Sequence, residues 1–464
     1  MANWLTRLRK ESIIRRNTLL LLLGAALLLL YRVGLSANAL GDIKWFIKVA
    51  LGQSAIYLVA AWIIFRARSS RSTLLLVIVF SVLFRLSVLF SPPFLSGDIY
   101  RYVWDGRVQS AGINPYRYIP AAPELAHLRD DAIYPKINRR EYARTIYPPV
   151  AETLFFLTTR ISESVTWMKL TMLGFELIAI WTIAHLLASF GMPRERLLIY
   201  AWHPLIVWEF AGSGHLDAVA IAFIALAFLA RCRNANVAAG CALACATLIK
   251  LFPIVLLPVV YKRWGWKMPV AFAITIIVAY LPYLGVGLHG VFGFLPGYAQ
   301  EEGLVGGGHF YALNVARTVF GANVPAVAFQ VFALMLMSVV AGWALFRNAQ
   351  RQNIMMSGMV LATAATALFS PRFSWYFAWL VPFLCFAPSL AVFYLTATSF
   401  VLYISWLNDS PDQMFRLNSF LYLPFLLMAA VGFWFRYSRF RFVPLRQAEQ
   451  TVLGRKQTID NPGD

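Results

Sequence analysis

The run NTLLLLLGAALLLLYRVG (17–34) is long and apolar enough to cross a bilayer, and runs like it recur along the whole chain. A hydrocarbon core needs about 20 apolar residues of helix. Inside it every backbone N–H and C=O must be satisfied within the structure, which admits only helices or closed barrels. Continuous apolar runs select helices. Further runs lie near 46–66, 72–90, 165–190, 197–212, 216–230, 236–249, 251–261, 268–286, 324–346, 354–369, 374–387, 389–407 and 417–435. The expected fold class is an all-α polytopic membrane protein. Residues 1–435 form one transmembrane domain of about 12–14 membrane segments, several shorter than a full crossing. It includes a large loop at 91–164 with short amphipathic helices, and a basic, polar tail follows at 436–464. Only 13% of residues are charged, where a soluble domain carries about 25%.

The amino terminus pairs a basic front with an apolar stretch too long for a signal peptide, and no clean small-x-small cleavage pattern follows, so it reads as a retained first span. The net charge of +20 lies largely in short stretches between apolar runs. With the amino terminus inside, the clusters RARSSR (66–71), PRER (193–196), RCRN (231–234), KRWGWK (262–267), FRNAQRQN (346–353) and RYSRFRFVPLRQ (436–447) all fall on that side, as the positive-inside rule asks. Both termini are then cytoplasmic, and anionic membrane lipids account for the charge. This arrangement requires 236–261 to be two short segments meeting at Lys250. No zinc-finger, RNA-binding or basic-region pattern occurs, so nucleic acid is not an expected partner. Of Cys232, Cys241, Cys245 and Cys385, the pair Cys241 and Cys245 lies four apart in an apolar helix with no His or acidic partner alongside; they read as small buried residues, and a disulfide framework is not expected.

The opposite side has a different character. It holds the 91–164 loop, GSGHLD (212–217), the glycine-rich 287–314 loop, SPRFSWYF (370–377) and WLNDSPDQMF (406–415). One large loop and four small polar patches on a single face distribute an active site as a membrane surface would require, with helices positioning the loops. The expected localisation is a plasma membrane, with this face extracytoplasmic.

The loop opens with SGDIYRYVWDGRVQSAGINPYRY (96–118). Asp98 after Gly97 reads as a helix start, where a carboxylate caps backbone N–H groups. If the segment is helical, Asp98, Arg101, Tyr102 and Asp105 share a face, which is more than a cap needs. An interfacial amphipathic helix also carries aromatics and arginines. Gly112 and Asn114-Pro115 end the helix, and TIYPPV (145–150) is a second rigid break.

The DIYRYVWDGRV…GINPY segment resembles the first extracytoplasmic loop of polyprenol-phosphate-dependent glycosyltransferases of the GT-C superfamily, and most resembles bacterial membrane mannosyltransferases. Tyr147-Pro148-Pro149, GHLD at 214–217 and KLFPIVLLP at 250–258 extend the likeness over about residues 72–410. It implies a GT-C-like helix bundle and an inverting enzyme. That enzyme moves a sugar, mannose by the nearest likeness, from a polyprenyl-phosphate donor to a glycan, glycolipid or protein acceptor outside the membrane. It also implies that Asp98 is the base and that Asp105 is the second acid of the motif. The first two spans precede the usual start of the pattern.

Such a transfer needs a carboxylate to take the acceptor proton and cations to meet the departing phosphate. Candidate phosphate ligands are Arg101, Arg107, Arg117, Lys250 and Arg372. Arg372 also suits snorkelling to headgroups, and Lys250 also suits reaching water at a helix break. Tyr102, His215, Asp217 and His309 are candidates for sugar or acceptor contacts. Asp217 also reads as a helix start or an orienter of His215. No His/Asp cluster completes a metal site. The resemblance leaves a divalent metal open and no other cofactor is expected. GLVGGGHFY (303–311) reads as a flexible loop and not a nucleotide cradle, because the P-loop Lys-Ser/Thr is missing. A transporter or flippase of a lipid-linked or small polar substrate is the alternative. It would place charged breaks at midplane in corresponding halves, whereas here the polar residues gather at one face.

Overall fold

The apolar runs become helices in a computed structural model. It describes residues 2–39, 41–66, 69–321, 323–347 and 353–457, with side chains over 11–37, 41–66, 69–321, 323–347 and 353–435. Arg7, Arg9 and Lys10 of the basic front, the basic residues cited above at 68, 351 and 436–447, and the rest of the 436–464 tail therefore fall outside the described side chains. Among the described residues every regular element is helical.

Three apolar helices come first: α1 (Ala2–Ala39), α2 (Ile43–Phe65) and α3 (Arg71–Leu89). The loop that follows contains two short helices, α4 (Asp98–Ser110) and α5 (Pro149–Thr159), before the chain re-enters the bundle as α6 (Val165–Ser189). Seven helices among the described residues are long and apolar enough to cross a membrane: four that lie in α1, α2, α3 and α6, then Lys267–Val286, Ala326–Arg347 and Pro411–Phe435. Shorter apolar helices at Asn236–Thr247, Ile354–Phe369, Ser374–Leu384 and Leu390–Trp406 pack among them. All four cysteines are free.

The breaks have local causes. The expected segment 197–212 is not one helix. Pro204 lacks an N–H and ends the preceding turn, while His203 Nδ1 accepts from Leu205 N at 3.2 Å to restart the chain. The restarted Pro204–Gly212 piece bends by 118° against Asp217–Cys232. Residues 236–261 likewise divide around Lys250, into Asn236–Thr247 and the short turns Phe252–Leu256 and Leu257–Val260.

Small residues set how closely helices approach. A Cβ on Gly240 would stand 2.4 Å from Met268 O, so the 236–247 and 267–280 helices pack backbone to backbone. A Cβ on Gly106 would stand 2.5 Å from Phe155 O, which brings α4 onto α5. Between α3 and α6 a buried Arg85–Glu176 pair fixes the register, with Arg85 Nη1 also donating to Ser81 O at 2.8 Å and Ala201 O at 2.9 Å. Charges this deep persist only when paired and hydrogen-bonded.

Candidate active site

At one end of the bundle a cavity of about 780 Å³ opens where several breaks meet. Its lining comes from the 94–101 and 138–148 stretches of the large loop, the break at 249–255, the 295–309 loop, residues 365–379 and Trp406. The polar patches separated in the sequence are therefore neighbours in space.

α4 supplies the first wall. Its N-terminus places Asp98 on the cavity, where Asn138 Nδ2 donates to Oδ1 at 2.6 Å. One turn on, Arg101 also lines the cavity. Its Nε donates to Asp105 Oδ1 at 2.8 Å and Oδ2 at 3.0 Å, and its Nη1 to Ala143 O at 3.1 Å. Asp105 is thus behind Arg101 and not on the cavity. Tyr102 turns inward, stacked on Phe155 with centroids 4.6 Å apart. Of the four residues expected to share a face, two reach the cavity and two support them from within.

Five cations line the cavity, Arg101, Arg139, Arg144, Lys250 and Arg372, against two carboxylates, Asp98 and Glu302. Most are held from behind by an acid: Arg101 by Asp105, Arg139 by Glu301 at 2.6 Å, Lys250 by Asp217 at 2.6 Å, and Arg372 by Asp409. A guanidinium or ammonium aimed this way keeps its other donors free for an anion. Lys250 Nζ also lies 4.7 Å over the Tyr376 ring. Arg139 takes φ of 53°, a left-handed conformation that costs a non-glycine residue strain and that recurs at functional sites.

Asp217 starts the Asp217–Cys232 helix and at the same time pairs with Lys250. His215 is buried beneath the cavity floor, stacked on Trp375 with centroids 4.2 Å apart, with Nε2 3.4 Å from Glu209 Oε2. His309 lines the cavity from the glycine-rich loop, Nδ1 3.9 Å from Glu302 Oε2. Burial, and then the charge of Arg372, hold its pKa down at about 4, so the imidazole is neutral near pH 7. Burial also raises the Glu302 carboxyl, against the pull of Arg372 and Arg139.

Arg107 and Arg117 are not brought here. Arg107 lines a second cavity across α4, bound to Asp130 at 2.7 Å and Glu163 at 2.8 Å. Arg117 is exposed in the turn after Asn114. No group of three or more metal-binding side chains occurs among the described residues.

The remaining wall is apolar: Leu251, Phe252, Ile254, Val255, Leu295 and Phe369, with Trp379. Leu251, Ile254 and Phe369 are each about half exposed on the bundle's flank. An anion at the cationic end and a hydrocarbon chain along this wall could be held together.

Sequence reasoning missed Asn138, Arg139, Arg144, Glu302 and the aromatic shelf of Tyr298, Trp375 and Tyr376. One signal was present. NRREYAR (138–144) puts three arginines in a loop assigned to the side that the positive-inside rule leaves poor in them.

A family model described as alpha-(1->6)-mannopyranosyltransferase, N-terminal domain, matches residues 19–266, more than half of the chain. The matched region carries Asp98, Arg101, Asp105, Asp217 and Lys250, whereas His309 and Arg372 lie beyond it. Comparison with curated proteins finds no match.

Proposed function

The chain belongs to the alpha-(1->6)-mannopyranosyltransferase family, a family of glycosyltransferases acting with mannose, and from that premise we propose that it moves mannose from a polyprenyl-phosphate donor to a glycan, glycolipid or protein acceptor. Asp98 is the base. As the acceptor oxygen attacks the anomeric carbon, its proton passes to the Asp98 carboxylate and the bond from that carbon to the phosphate oxygen breaks. The electron pair leaves with the phosphate. A base of this kind contributes roughly 10²–10⁴ in rate, and its charge also favours an oxocarbenium-like transition state.

The phosphate's charge is met by Arg101, Lys250 and Arg372, which face the cavity with their acids behind them. Arg107 and Arg117 are left out of this set because they lie away from the cavity. His309, neutral, is suited to a sugar or acceptor hydroxyl, and the aromatic shelf to a pyranose face. Tyr102, Asp105, His215 and Asp217 act from the layer behind. The proposed reaction is inverting, as the resemblance implies: a single displacement with Asp98 as base forms no covalent intermediate. An α-linked product formed with inversion calls for a β-linked donor.

The placement of the reaction outside a bacterial inner membrane is part of the proposal. α6 begins at the site loop and ends before PRER (193–196), and the helix that ends before the 287–310 loop begins at KRWGWK (262–267). The basic segments are thus at the helix ends opposite the site, which supports cytoplasmic termini and an extracytoplasmic cavity.

The observation that carries the reading is the cavity itself, with Asp98 among cations at one end and an apolar wall open to the flank. A transporter would need its charged break between matched halves. The test is to offer the purified protein polyprenyl-phosphate mannose and, in parallel, a nucleotide-linked mannose. Transfer from the lipid-linked donor alone, seen by mass analysis of the product, is expected. Transfer from the nucleotide donor alone contradicts the reading.

A further inference from the structure

Behind Arg101 lie two carboxyl groups for one cation. Asp105 is 2% exposed and Glu152 is not exposed at all. Glu152 comes from α5 and reaches α4 because Gly106 allows the two helices to touch. Each of its oxygens accepts from an uncharged donor only, Thr145 Oγ1 at 2.5 Å to Oε1 and Gln109 Nε2 at 2.8 Å to Oε2. Gln109 is itself fixed, since Tyr283 Oη donates to its Oε1 at 3.0 Å and so directs the amide N–H groups at Glu152. The same Gln109 amide donates to Glu152 O at 2.9 Å.

Two ionised carboxylates and one guanidinium would leave a net negative charge without water in this site, which is costly. A single shared proton removes that charge. Asp105 shares the cationic Arg101 Nε–H between its two oxygens, which favours its ionised form. Glu152 has no cation of its own within hydrogen-bonding distance among the described contacts. We infer that Glu152 is a positioning residue that works as a neutral carboxylic acid: it donates its proton to Asp105, keeps that carboxylate ionised under Arg101, and so aims the guanidinium into the cavity beside Asp98. Burial, and then the charge of Asp105, push the Glu152 carboxyl well above its ordinary range, in the same direction. The other titratable groups around it are Arg101 from α4, Tyr116 from the loop and Tyr283 beyond the 267–280 helix.

The inference rests on the proposed reaction for its kinetic consequence, and on the fold alone for its effect on stability. Glu152→Met leaves Asp105 without its donor and Arg101 misdirected. A misplacement of about 1 Å lowers transfer by about 10²-fold. Glu152→Gln keeps a donor toward Asp105 without a titrating proton and recovers most of that loss. It also changes the pH dependence. In the wild type the rate falls on the alkaline side as the pair loses its proton, and Glu152→Gln moves that limb to higher pH. A residue that only fills space would leave the limb where it is.

Thermal unfolding in detergent, without substrate, gives the second readout. The folded pKa is raised, so the stabilisation is present at low pH and is lost as pH rises through the folded value. The wild-type unfolding temperature should therefore fall with rising pH more steeply than that of Glu152→Gln. Coincident alkaline limbs and coincident unfolding slopes overturn the inference, as does a Glu152→Gln variant no more active than Glu152→Met. If the wild type transfers nothing from polyprenyl-phosphate mannose, the donor reading fails. The unfolding comparison then still decides the state of Glu152.

Discussion

Asn138 Nδ2 donates to Asp98 Oδ1 across 2.6 Å, joining residues forty positions apart in one loop. The bond orients one oxygen of a residue that lines the cavity and leaves Oδ2 with no protein partner among the described contacts. An oriented base is worth more than a mobile one, because proximity without alignment forfeits much of the rate. Asn138→Ala removes the orienting donor from a partly buried site. Transfer is expected to fall about tenfold, within the range for a lost positioning contact, while the unfolding temperature changes little. An unchanged rate would show that Asn138 does not orient Asp98.

Lys250 and Asp217 make a buried pair, 13% and 1% exposed at the side chain. Removing one partner strands the other, at a cost of about 3–5 kcal/mol. Lys250→Met alone should therefore lower both stability and donor affinity. In Lys250→Met/Asp217→Asn the stranded charge is gone, so thermal stability returns toward wild type while donor affinity does not. Recovery of affinity in the double variant would remove Lys250 from the phosphate site.

His309 gives a pH prediction of known sign. Its pKa falls from 6.5 to about 4 on folding. The unfolded chain then binds a proton that the folded chain refuses, so stability is full above about 6.5 and declines as pH falls toward about 4. His309→Gln should remove that part of the acid slope, read from unfolding temperatures at pH 4.5 and 7.5 relative to wild type. If the two proteins lose stability equally on acidification, His309 is not held neutral by its surroundings.

The helices were legible from the sequence because a bilayer leaves the backbone few options. The runs at 72–90, 165–190 and 354–369 match their helices to within a residue. The run at 197–212 was misread as continuous, because one proline outweighs the apolar composition around it. In the site, Asp98 and Arg101 could be found from local helical spacing, and Lys250 from the cost of a charge between apolar segments. The carboxyl partners could not. Asp217 with Lys250, Glu301 with Arg139 and Glu152 with Gln109 are contacts between elements, set by packing distances that a one-dimensional pattern does not carry. Arg107 shows the converse. Six residues after Arg101, it lies about a third of a turn away round α4, and it bonds Asp130 and Glu163 there.

The account stands most directly on Asp98. The measurement is single-turnover transfer from polyprenyl-phosphate mannose by wild type and Asp98→Asn, alongside donor affinity for both. Asparagine keeps the size of the side chain and cannot take the proton. The account predicts a loss of roughly 10²–10⁴ in the transfer rate with donor affinity retained. Transfer at the wild-type rate by Asp98→Asn would contradict it.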